Sequence, residues 1–144
     1  MSSSMDSKRL QPIQRVAETR EDSALENFLE LQRVATAAQT RLEELTEYFS
    51  TYTHAPATAF TPAMLINRHA FMSKLRDAID YQRNEVAKAN AACQAQRARW
   101  ILASRDVRVL DKLSEAYRSK ERSDADRVAQ REIDDRGSRK PPHL

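Results

Sequence analysis

Glycine is all but missing from this chain: the only one in 144 residues is Gly137. Turns that need a positive φ call on glycine, because a Cβ clashes there. A chain with none before residue 137 therefore makes very few tight turns, which argues against sheets and for long unbroken helices. Cysteine is nearly absent too. Cys93 stands alone, so it forms no internal disulfide and nothing argues for an oxidising compartment. No stretch approaches the ~20 consecutive apolar residues of a membrane span. The opening MSSSMDSKR lacks the apolar core of a secretory signal, so the cytoplasm is the expected location.

Charge of one sign is missing as well. The 24 basic residues are almost matched by 21 acidic ones, giving a net charge of +3 despite a pI near 9.2. Counterion release from nucleic acid needs clustered Lys and Arg. Here they are interleaved with acids, so a nucleic-acid partner is not expected.

Proline divides what remains. Residues 1–11 read as a flexible polar lead, and Pro12 suits the first turn of a helix, where its missing N–H has no partner to lose. No breaker follows until Pro56, so helix one is placed over 12–53 and a tip loop over 54–62. Thr61-Pro62 reads as an N-cap followed by proline at the first helical position. Helix two is expected over 63–136, and a disordered tail from Gly137 to Leu144.

Inside both segments apolar residues recur at alternating steps of three and four. In the first they are Phe28, Leu31, Ala35, Ala38, Leu42, Leu45, Phe49 and Tyr52. In the second the same rhythm runs from Met72, Leu75 and Ile79 through Gln82, Val86, Ala89, Cys93, Gln96, Trp100, Ala103 and Val107 to Leu110. A sustained seven-residue repeat gives a narrow seam that pairs with another helix. A linker of this length folds the two back on each other. The expected fold is all-α, an antiparallel coiled-coil hairpin whose longer second helix overhangs the first. Beyond Tyr117 only Val128 and Ile133 are large and apolar, so the overhang is expected to start there and to be marginal alone.

Chemistry is scarce. A two-helix rod has little interior to shape a catalytic cleft, and a glycine-rich phosphate loop has no glycines to be built from. His54, His69 and His143 lie in linker, helix and tail, without the spacing of a helical zinc site. Cys93 has no base beside it in NAACQAQR and reads as a small seam filler. No catalytic, metal or cofactor site is expected. Gln82 and Gln96 interrupt the seam; Gln96 reads as tolerated exposure, and Gln82 as either that or a register setter. Five of the nine aromatics, Tyr48, Phe49, Tyr52, Phe60 and Phe71, gather near the tip. They serve either as tip packing or as a docking patch.

RLEELTEYFSTY at 41–52, the proline-bearing loop and FMSKLRDAI at 71–79 resemble the FliJ family of the bacterial flagellar type III export apparatus. So do RWILASRDVRVLDKLSEAYR at 99–118, with its lone Trp100, and REIDDRGSRK at 131–140. The resemblance implies a stalk-like coiled coil that is a monomer when free. It implies binding to the flagellar export ATPase, promotion of its activity, docking to the export-gate membrane protein and escort of filament-type export chaperones. It also implies a place on the inner face of the cell membrane at the flagellar base. By that resemblance the gate-docking surface falls on Arg41, Leu45, Tyr48, Tyr52, Phe71, Leu75, Ala78 and Gln82. The ATPase-binding surface falls on Arg118, Lys120, Arg127, Arg131, Ile133, Asp134 and Asp135. A coiled-coil scaffold without a role in export is the alternative that the heptads alone permit.

Overall fold

A computed structural model describes residues 4–138. Two helices account for nearly all of them: α1, Ser4–His54, and α2, Pro62–Ser138. Among the described residues only Ala55, Pro56, Phe60 and Thr61 lie outside helical structure. A single 3-10 turn, Ala57–Ala59, closes through the bond from the Ala59 N–H to the Pro56 carbonyl at 2.9 Å. Thr61 then caps α2, its Oγ1 accepting the Met64 N–H at 3.2 Å, with Pro62 in the position where no donor is missed. The fold is all-α, two long helices packed against each other.

Burial follows a heptad, with every a and d position of the paired stretch covered. On α1 the covered positions run from Ser7, Leu10, Gln14, Ala17, Glu21 and Ala24 through Phe28 to Tyr52; on α2 they run from Arg68 and Met72 to Glu121 and Asp124. Every seam residue expected from Phe28 to Tyr52 and from Met72 to Leu110 is buried or half-buried. Ser7, Gln14 and Phe28 occupy position a on α1, with Leu10, Ala17 and Tyr52 at d. On α2, Met72, Trp100, Ser114 and Glu121 occupy a, with Leu75, Gln82 and Leu110 at d.

The chain divides into two compact units. One joins residues up to Asp22 with those from Ile101 onward; the other spans Ser23–Trp100. In the second unit Phe28 stacks on Trp100, with centroids 5.7 Å apart and an interplanar angle of 18°. Further along, Gln82 donates from Nε2 to the Ala38 carbonyl at 2.9 Å. The first unit has a more polar seam. There Ser7 meets Glu121, and Gln14 Nε2 donates to Asp111 Oδ1 at 3.2 Å. In both units the early residues of α1 meet the late residues of α2, which is antiparallel pairing.

Several expected boundaries are corrected, beginning with the tip loop, which narrows to 55–61 because His54 closes α1 and Pro62 opens α2. α1 begins at Ser4, eight residues before Pro12, so the proline lies inside the helix and residues 4–11 are not a loose lead. An interior proline costs roughly 3 kcal/mol. Burial of Ser7 and Leu10 against α2, with the Glu121 hydrogen bonds, offsets that cost. Because α1 is longer, the overhang is shorter: the seam continues past Tyr117 to Asp124, and residues 125–138 are all exposed. Gly137 and Ser138 belong to α2 rather than to the tail. The remainder of the expected tail lies outside the described residues.

Candidate functional site

In an antiparallel heptad pair the g positions of both helices share one flank and the e positions share the other. The side-chain contacts bear this out. On one flank Tyr52 at d meets Phe71 at g, rings 4.9 Å apart. On the other, Phe49 at a lies under the Arg76 guanidinium at e, 5.5 Å from the ring centre. In the Ser23–Trp100 unit the first flank carries Arg41, Tyr48, Phe71 and Ala78 at g.

The resemblance-derived docking residues divide by exposure. Tyr48 is 62% and Phe71 44% exposed, and Arg41 is exposed beside them. Leu45, Tyr52 and Ala78 are half-buried, while Leu75 and Gln82 are buried in the seam. Those last two therefore touch α1: Leu75 fills space, and Gln82 ties the two helices together through the Ala38 carbonyl.

Tip packing accounts for part of the aromatic cluster. Tyr52 lies within ring contact of both Phe60, at 6.5 Å, and Phe71. Arg68 stacks over Phe60 at 4.9 Å and donates to the Tyr52 carbonyl at 2.7 Å. Together these pin the tip loop onto the helix pair. Tyr48 stands outside this packing and lines a shallow hollow with Glu44, Glu47, Thr51 and Tyr52.

One exposed aromatic on this flank was not singled out from sequence. Tyr81 sits at heptad position c, three residues beyond Ala78, and is as open as Tyr48. Its signal was the heptad phase itself: an aromatic one position off the core reads as flank, not seam.

In the unit that holds the residues from Ile101 onward, Arg118 and Lys120 are exposed along the paired part of α2, whereas Arg127, Arg131, Ile133, Asp134 and Asp135 lie on the all-exposed segment. Arg127 reaches Asp124 at 3.9 Å, and Gln130 Nε2 donates to Asp134 Oδ1 at 3.1 Å. Such exposed same-helix links support a helix by a few tenths of a kcal/mol each. Ile133 is 61% exposed. Among the described residues no group of three or more His, Cys, Asp or Glu converges to hold a metal ion.

A family model described as flagellar FliJ protein matches residues 6–141. The chain belongs to the FliJ family. The match runs over both helices, so this FliJ-family chain is a flagellar export-related protein, and the family is a non-catalytic one. No curated protein and no solved structure is similar enough to be matched to it. No helix of this FliJ-family chain, among the described residues, is long and apolar enough to cross a membrane.

Proposed function

We propose that this chain acts as a stalk-like element of flagellar export. It binds the export ATPase with the late part of α2 and promotes its activity. It docks to the export-gate membrane protein with the tip flank, and it escorts filament-type export chaperones at the inner face of the cell membrane. The observation that carries the docking half is the exposed pair Tyr48 and Phe71, two large rings left open on either side of the tip loop in a chain that has few aromatics. Rings of this kind dominate binding energy when a partner covers them. Arg41, Leu45, Tyr52 and Ala78 complete the surface, and Leu75 and Gln82 hold the helices at the spacing it needs.

For the ATPase half, the support is a charged helical segment that is exposed throughout residues 125–138, carrying Arg127, Arg131, Asp134 and Asp135 with Ile133 as its apolar contact. The test is binding of purified export-gate protein by the wild-type chain and by Tyr48→Ala with Phe71→Ala. Loss of binding with helicity retained supports docking, and unchanged binding returns the chain to the scaffold reading.

A further inference from the structure

A second apolar surface lies on the unit formed by residues up to Asp22 and from Ile101 onward. Ile13 is 55% exposed, Val16 51%, Val109 63% and Leu113 37%. Ile13 and Val16 occupy positions g and c of α1, and Leu113 and Val109 occupy g and c of α2. They therefore share one flank. The Gln14–Asp111 contact fixes the pairing locally, so Ile13 lies across from Leu113 and Val16 across from Val109. Half-buried Leu110 and buried Ala17 form the floor between them. Ala116, also at c and exposed, extends the strip past Leu113, and exposed Asp106 at g closes it short of Leu102. From 109 to 116 it runs about 10 Å, the length of about two helical turns.

An apolar g and c surface beside an a/d seam is what a third helix needs in order to pack along a two-helix rod. A partner helix would anchor with apolar residues at i, i+3, i+4 and i+7. The charges around the strip choose its flanks. By register Asp6 lies opposite Lys120, and Arg20 opposite Asp106, so those four balance across the seam. Arg9, Arg105 and Lys112 are exposed at the rim with no acid opposite them. We propose that this flank docks an amphipathic helix of a partner protein whose apolar face is bordered by Asp and Glu. An adsorbed lipid surface fits less well, because the strip is narrow and carries Asp6 and Asp106 at its ends.

The probe is a labelled synthetic helix of about four turns, with leucines along one face and glutamates on its borders. Its twin carries lysines in place of the glutamates. Two double variants of the full chain accompany the wild type: Val109→Ser with Leu113→Ser, and Arg9→Glu with Lys112→Glu. All four positions are exposed, and thermal unfolding by circular dichroism verifies that the fold is kept. Fluorescence anisotropy is expected to show the glutamate helix binding the wild type, with each double variant weakening it about tenfold. The lysine helix is expected to bind at least as weakly as the variants allow the glutamate helix. Equal binding of both peptides, or indifference to the serine substitutions, overturns the proposal. So does a concentration-dependent dimer that the serine variant abolishes, since the occupant is then a second copy. Anionic vesicles captured where the peptide is not would overturn it as well, in favour of a membrane.

Discussion

Glu121 on α2 receives two hydrogen bonds from Ser7 on α1: one from its hydroxyl at 3.0 Å and one from its backbone N–H at 3.3 Å. The carboxylate thus sits over the first turn of α1, where helix N–H dipoles favour an anion. This contact fastens residues that precede Pro12. Glu121→Ala is expected to cost about 1 kcal/mol. The loss should be local, seen as faster amide exchange over residues 4–11 with little change near Trp100. Uniform loosening along both helices would show that Glu121 does not act at this end.

Between Phe28 and Tyr52, and between Met72 and Leu110, the seam was legible because its residues are apolar and their spacing announces which face is covered. Toward the chain ends the same heptad continues through Ser7, Gln14 and Glu21 on α1 and through Ser114, Glu121 and Asp124 on α2. These polar residues look like surface in any hydrophobicity pattern. They are covered because they keep the a and d phase that Leu10 and Ala17 on α1 and Leu110 on α2 set within the same unit. Pro12 added a misleading boundary for the same reason: a helix already in contact with its partner tolerates a breaker that an isolated one does not. The tip carries its signal locally. Thr61 and Pro62 carry their cap chemistry locally, so no distant contact was needed to see it. Which tip ring is open and which is packed was not legible, since it depends on the two helices being in register.

Ser114 is 4% exposed, and its hydroxyl has no hydrogen-bond partner. A buried polar group without a partner costs on the order of 1–3 kcal/mol. Ser114→Ala removes the hydroxyl while leaving the small side chain that lets the helices approach. It is expected to raise stability by about 1 kcal/mol. Urea unfolding followed at 222 nm reads this directly. A destabilised variant would mean that the hydroxyl is satisfied in solution.

Tyr48 and Tyr81 share a flank and are both largely exposed, so neither should matter much to the fold. Each alanine variant is expected to cost less than about 0.5 kcal/mol, typical of surface substitutions. Phe28→Ala or Trp100→Ala, which break the stack inside the helix pair, should cost several times more, approaching the ~3–5 kcal/mol of buried aromatics. If Tyr81 belongs to the proposed docking flank, Tyr81→Ala weakens gate binding as Tyr48→Ala does, with the melting temperature unchanged. Weakening by Tyr48→Ala alone would end the surface at Ala78.

Where the seam ends decides what can be removed from α2 without harm to the fold. Residues 118–124 still lie along α1, with Glu121 bonded to Ser7, whereas residues 125–138 are exposed throughout. Deleting 125–144 should therefore leave the melting temperature nearly unchanged. Deleting 118–144 should lower it, because it also strips the cover from the start of α1 and leaves Pro12 in a helix end with less to hold it. The proposed ATPase contacts divide at the same place: Arg127, Arg131, Ile133, Asp134 and Asp135 go with the shorter deletion, while Arg118 and Lys120 go only with the longer one. With purified export ATPase, ATP turnover should be stimulated by the full chain and not by either truncation. The stimulation should weaken with added salt, since exposed charges are screened over ~10 Å at 0.1 M. Full stimulation by the shorter truncation and none by the longer would move the contact to Arg118 and Lys120 and to the structured end of the helix pair. Full stimulation by both would place it elsewhere on the chain.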